Sequence, residues 1–194
     1  MIEIIDYAPR WADEFCIVAE HLRRSLGGLA VRIDHIGSTS VPGLAAKDII
    51  DSQVTVASLA SAKRIVAAFE AAEYVHRPIP PQISGDRRPP FATGSDEHWK
   101  KLLFREWPGQ RRANIQVREL GRMNQRYALL CRDFLRSNPI ATAGYAELRR
   151  RIACHHGDSA DAYLEIKEPA FDLIMAAAEP WAAATGWDPG PTNA

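Results

Sequence analysis

Residues 31–56 constrain this chain more than any other stretch. Val31-Arg32-Ile33-Asp34-His35-Ile36 alternates apolar and polar side chains, as a half-buried strand does, and runs straight into Gly37-Ser38-Thr39-Ser40. Residues 49–56 then sort into two faces, Ile50, Ser52, Val54 and Val56 against Ile49, Asp51, Gln53 and Thr55. A strand, a turn of small residues and a second strand with an acid on its polar face require a sheet with other elements packed on its apolar side.

The rest of the chain supplies those elements. Trp11, Phe15, Val18, Ala19, Leu22 and Leu26 recur at helical spacing over residues 10–26, with Pro9 as a start signal and Gly27-Gly28 as a stop. Ser58 is placed to cap an alanine-rich helix that runs to about residue 73. Residues 77–90 hold five prolines, which predicts a loop long enough to carry function. Residues 99–105 and 112–119 predict two more strands, joined by the turn Trp107-Pro108-Gly109-Gln110. From Met123 the period is helical: Tyr127, Leu130, Cys131 and Phe134 stripe one helix that Asn138-Pro139 stops. Further helices are expected over residues 142–155 and from residue 158, with a break at Pro169, and residues 186–194 read as a frayed tail. The expected organisation is an α+β fold: a sheet domain over 1–122, a helical part over 123–185 packed on it, and the tail.

Composition excludes several classes. With 46% apolar and 25% charged residues, and 24 basic side chains against 24 acidic ones, the chain is globular rather than disordered. No apolar run reaches the roughly 18 residues that span a bilayer, so no membrane partner is expected. Glu3 and Asp6 stand where a secretory signal would be basic, and the three distant cysteines contain no CxxC, so a cytoplasmic location is the expectation. The charge is uneven: residues 101–154 hold 12 basic and 4 acidic side chains. Such a split marks either an anionic partner or solvated helix faces. No RNA-stacking strand motif accompanies it, which ranks nucleic acid last among partners. Oligomeric state leaves no mark in the sequence.

The chemistry-bearing residues gather around the Gly-Ser turn. Backbone N–H groups at a strand-to-helix turn attract phosphate, glycine lets it approach, and the Ser38, Thr39 and Ser40 hydroxyls add donors. Asp51 on the next strand could hold Mg²⁺ against the same phosphates. The competing reading is an ordinary capped turn beside one exposed acid. Lys47 either reaches a phosphate or is solvated. His35 either bonds a phosphate or fixes the loop. Arg132 and Arg136, spaced i, i+4, can aim at one anion, or Asp133 between them pairs locally.

The run from His35 through Gly37-Ser38-Thr39-Ser40-Val-Pro-Gly-Leu-Ala-Ala-Lys47-Asp-Ile-Ile-Asp51 resembles the signature of the GrpB family. Trp11 and Phe15, Asn114-Ile-Gln-Val-Arg118, Arg132-Asp133-Phe-Leu-Arg136, Tyr145, Leu148-Arg149, Tyr163, Lys167 and Thr185-Gly-Trp187 follow in matching order. The likeness extends to the GrpB-type domain fused behind the kinase of some bacterial dephospho-CoA kinases, although no Gly-x-x-x-x-Gly-Lys-Ser/Thr loop occurs here. The resemblance implies a nucleotidyltransferase-like mixed sheet related to the DNA polymerase β superfamily. It further implies Mg²⁺-dependent transfer from a nucleoside triphosphate to a small-molecule acceptor. Gly37 to Ser40 would bind the phosphates, and Asp51 would be the catalytic and metal-holding acid. The family's second acid falls on Gln53 and its third on the strand of Asn114, Gln116 and Arg118, so amides stand where carboxylates would. Tyr145, Tyr163 and Lys167 are candidates for the acceptor side or for core packing with their polar tips outward. The alternative the resemblance leaves open is an accessory domain that binds a nucleotide, coenzyme A or another phosphorylated small molecule without catalysis.

Overall fold

The computed structural model describes residues 1–79, 86–90, 92–106 and 108–192. Five strands are present: β1 (Ala30–Ile36), β2 (Ile50–Val56), β3 (Val75–His76), β4 (Leu102–Arg105) and β5 (Ala113–Glu119). They form one mixed sheet in the order β1-β2-β5-β4-β3. Only β2 and β5 run parallel; the other neighbours are antiparallel. A parallel pair needs a long connection, and everything between residues 57 and 112 supplies it.

The two faces of the sheet differ as the alternation requires. α1 (Arg10–Leu26) and α2 (Ala62–Ala71) cover the apolar face. Trp11, Phe15, Ala19 and Leu22 of α1 meet Ile33, Ile50, Val54, Ile115 and Val117 in a core closed to water. Phe69 of α2 stacks on Phe104 with ring centres 3.9 Å apart. The polar face looks towards α3 (Met123–Ser137), α4 (Pro139–His156), α5 (Ala160–Lys167) and α6 (Pro169–Thr185). These helices have their own core around Leu130, Phe134, Tyr145 and Met175. Val41, Leu44 and Ala45, which follow β1, pack into that helical core. The sheet and the helices therefore share packing across the 122/123 boundary.

Several elements depart from their expected bounds for physical reasons. The segment after Gly37 forms a single 3₁₀ turn, Ser38–Ser40, and not an α-helix; the Ser40 amide bonds the Gly37 carbonyl within it. Ser58 does cap, accepting from the Ala60 amide, but it caps a 3₁₀ turn that precedes α2. α4 begins at Pro139 rather than 142, because proline suits the first helical position and Asn138 accepts from the Ala141 amide. The first three residues expected in β4 instead belong to a turn or its exit, with Asp96–Trp99 in a 3₁₀ turn. β3 has two residues, too few for a periodic signal. Of the tail, residues 186–192 are held rather than frayed. β1 is an edge strand, and Thr192 satisfies its Ile33 backbone twice, donating to the carbonyl at 2.6 Å and accepting from the amide at 3.1 Å. Residues 80–85 of the proline-rich loop, Trp107 of the turn 107–110, and residues 193–194 lie outside the described residues. Among the described residues no helix is long and apolar enough to cross a membrane.

Candidate functional site

A cavity of about 500 Å³ opens between the polar face of the sheet and the helices. Strand register sets its floor. Ile36, Asp51, Asn114 and Arg105 stand side by side in one row across four strands, and Asp34, Gln53, Gln116 and Leu103 form the next. Of the residues expected from sequence, Gly37, Ser38, Thr39, Lys47, Asp51, Asn114, Gln116, Arg132 and Lys167 line the cavity.

Asp51 sits at its centre. Asn114 donates to Asp51 Oδ1 at 2.9 Å across the parallel pair. Burial raises the pKa of this carboxyl, while the Asn114 bond and the charges of Lys167 and Lys47 pull the other way. Gly37 packs directly on it. A Cβ at residue 37 would lie 2.6 Å from Asp51 Oδ2 and 2.8 Å from its Cβ, and the backbone there has φ +68°. Both facts demand glycine.

Cations ring the acid. Lys47 Nζ stands over the Tyr163 ring, 5.4 Å from its centre, and Lys167 Nζ over the Phe171 ring at 4.8 Å. Arg149 is buried, donates to the Ala45 carbonyl at 2.8 Å and to the Tyr163 hydroxyl at 3.2 Å, and faces the same space. Among the described residues, none of these three has a carboxylate within ion-pair distance. Burial, then Arg149 and Lys47, push the Lys167 ammonium down to about 8.

One wall is a buried charge network. Asp86, from the end of the proline-rich loop, accepts from Arg118 at 2.8 and 3.0 Å, from Asn124 at 3.1 Å and from Lys101. Burial alone would raise the Asp86 pKa, but Arg118 and Lys101 hold it well below the usual carboxylate range. Arg118 also donates to Gln53 Oε1 at 2.6 Å, and Lys101 to Gln116 Oε1 at 3.0 Å. The amide oxygens at the expected places of a second and third acid are thus already bonded to cations.

Five predicted residues stand behind the wall instead of lining it. His35 lies on the opposite face of β1, stacked on Phe15 at 4.6 Å, with Nε2 3.0 Å from the Thr39 hydroxyl. Burial, with Arg136 and Arg132 nearby, pushes it down to about 3, so it is neutral and fixes the turn. Ser40 bonds back to the Gly37 carbonyl at 2.5 Å. Gln53 is fully buried and donates to the Gln125 carbonyl. Tyr163 is fully buried and supports Arg149 and Lys47. Arg136 donates to the Ser40 carbonyl at 2.9 Å, while Arg132 donates to the His35 carbonyl at 3.2 Å. The i, i+4 pair clamps the backbone on both sides of the turn, and the anion at which both meet is Asp133 between them, 2.7 Å from Arg132 Nε and 3.6 Å from Arg136 Nη1.

Sequence reasoning missed Asp86, Lys101, Arg105 and Arg149 as cavity residues. For Asp86, the signal was an acid in a loop too long to be idle. For Arg149, only tertiary packing reveals that the helix turns it inward. Cys131, expected to be inert core, is buried on the cavity wall with its thiol pushed up to about 12 by burial.

The arrangement has a recognisable class. The chain is an α+β protein whose mixed sheet carries a Gly-Ser turn after β1, an acid packed on that turn from β2, and β5 parallel to β2. The model of the GrpB protein family matches residues 1–177, so the chain belongs to the GrpB family. Over 97% of its length it is 34% identical to a dephospho-CoA kinase of Mycolicibacterium paratuberculosis, 48% of which is covered. It is 33% identical over 90% of its length to a UPF0157 protein of Streptomyces coelicolor, 81% of which is covered. The chain spans about half the length of the dephospho-CoA kinases that it matches. The crystal structure of a conserved GrpB protein from Enterococcus faecalis superposes with a TM-score of 0.66 at 26% identity, over 89% of this chain and 99% of that one.

Gly37→Ala is expected to cost at least about 1–3 kcal/mol for the backbone alone, before the contact with Asp51 is counted. A denaturant midpoint equal to that of the wild type would contradict the packing. Asp86→Asn leaves Arg118 buried without its counter-charge and is expected to cost about 3–5 kcal/mol. Because the Asp86 pKa is lowered on folding, its contribution is present above the ordinary value of 3.8 and is lost as the pH falls below it. The difference in stability between wild type and Asp86→Asn should therefore shrink in acid melts from pH 5 downward; a constant difference would refute the assignment.

Proposed function

We propose that the cavity binds the phosphate portion of a nucleotide or coenzyme A-type molecule through protein cations, without a pair of metal ions. One observation carries this reading: of the three carboxylates that line the cavity, Asp86 is paired with Arg118 and Lys101 and Glu168 with Arg87, so that Lys47, Arg149 and Lys167 face Asp51 as the one acid among the described lining residues without an ion-pair partner, while Gln53 and Gln116 have their oxygens bonded to Arg118 and Lys101. A two-metal site needs several carboxylates with free oxygens to neutralise the ions. The donors here do not fit such a pair. They do fit an anion, since three cations facing one unpaired carboxylate attract phosphate.

The rest of the basic segment supports a cavity rather than a surface for nucleic acid. Arg111 is paired with Glu14 and Asp48, Arg122 with Glu119, Arg126 with Glu179, Arg150 with Asp6 and Arg151 with Glu147. The dephospho-CoA kinase names of several relatives favour coenzyme A and its precursors among the ligands to try.

The second reading is nucleotidyl transfer to a small acceptor, which the contact of Gly37 with Asp51 favours by placing a phosphate-binding turn against an acid. Asp51, together with the substrate's phosphates, would hold one Mg²⁺, which keeps most of its waters and needs few protein ligands. The ion would supply charge for the departing pyrophosphate.

Thermal melts with ATP, GTP, CTP, UTP and coenzyme A, each in EDTA or in Mg²⁺, separate the readings. A ligand at 100 times its Kd adds about 2.7 kcal/mol. The binding reading expects a shift that persists in EDTA and an affinity at least tenfold weaker in Lys47→Met. A shift that needs Mg²⁺ and disappears in Asp51→Asn would replace it with the second reading.

A further inference from the structure

Phosphate binding alone does not use everything that Lys167 offers. This side chain ends α5 and lines the cavity beside Arg149, Lys47 and Asp51. Among the described residues no carboxylate lies within ion-pair distance of it, and its Nζ lies on the face of Phe171. The chain has five lysines. Lys63 and Lys100 are exposed, and Lys101 is committed to Asp86 and Gln116. Lys47 is the other cavity amine; burial lowers its pKa too, but there the attraction of Asp51 comes ahead of the repulsions of Arg149, Arg112 and Arg105. Around Lys167, after burial itself, the repulsions of Arg149 and Lys47 come ahead of the attractions of Asp51 and Glu168.

We propose that Lys167 is an amine nucleophile that forms a Schiff base with a phosphorylated aldehyde or ketone, whose phosphate Lys47 and Arg149 hold. The inference rests on the phosphate-binding reading and adds a reactive group to it. A half-buried lysine beside other cations is pushed towards its neutral form, the usual way a protein makes an amine nucleophilic. The neutral Nζ lone pair attacks the carbonyl carbon to form the C–N bond. The carbonyl oxygen leaves as water with the two hydrogens of Nζ, and a C=N bond remains. Nothing is oxidised or reduced. Phosphate capture brings the carbonyl to the amine at high effective concentration, and the half-buried position shields the imine from hydrolysis.

Pyridoxal 5′-phosphate is the probe, since it carries both groups. The intact chain is incubated with it, reduced with borohydride and mapped by peptide mass spectrometry. The expected result is one adduct, on Lys167, with pyridoxal lacking the phosphate labelling at least tenfold more slowly. Lys167→Arg keeps the charge and should bind the probe reversibly, seen as a thermal shift, with no adduct. Labelling spread over Lys63 and Lys100, labelling of Lys47, equal labelling by pyridoxal, or an unchanged adduct in Lys167→Arg would each overturn the proposal. A thermal shift without any wild-type adduct would remove the nucleophile and leave the phosphate site standing. Neither shift nor adduct would remove both.

Discussion

The half-buried carboxylate of Asp86 is the constraint on which the site depends. A charge out of water is tolerated only when it is paired and fully hydrogen-bonded. Asp86 meets that condition with Arg118 from β5, Lys101 from just before β4 and Asn124 from the first turn of α3. One side chain therefore joins the end of the proline-rich loop, the sheet and the helical layer. The same pairing directs Arg118 onto Gln53 and Lys101 onto Gln116. The network fixes where the cavity wall stands and which oxygens are no longer free.

Charge decides the chemistry more than shape does. The backbone arrangement that the family resemblance implies is present: the turn at Gly37, the acid at Asp51, and β5 running parallel alongside. Its electrostatics are inverted. Gln53 and Gln116 contribute no charge, and Lys47, Arg149 and Lys167 leave the cavity with cations in excess of its free acids. A carboxylate whose pKa is raised by burial, among such cations, is a weak place for a divalent ion and a tolerable neighbour for a phosphate. The fold alone therefore does not establish the activity.

What was legible in the sequence was local. The period of Trp11, Phe15, Leu22 and Leu26 marked α1, and the face separation of residues 49–56 marked β2 and the side on which Asp51 stands. Gly37 could be singled out because a turn signal followed an alternating strand. What failed depended on distant partners or on ambiguous punctuation. Asn138-Pro139 read as a stop, yet the same pair is a good start for the following helix. Arg132 and Arg136 share a helix face, but the backbone carbonyls they bind belong to residues nearly a hundred positions away. His35 belongs to the polar set of β1 by type and to the core by register, opposite Ser52. Asp86 and Arg149 acquire their roles only when loop, sheet and helices meet.

The most direct test is calorimetric titration, in EDTA, of whichever panel compound gives the largest thermal shift, into wild type and Asp51→Asn. If the cavity holds phosphate by protein cations, removing the one carboxylate among them relieves repulsion, and the variant binds several-fold more tightly with no metal present. If Asp51 acts by holding a metal ion, wild type shows little binding in EDTA and the variant gains none, which would contradict the account.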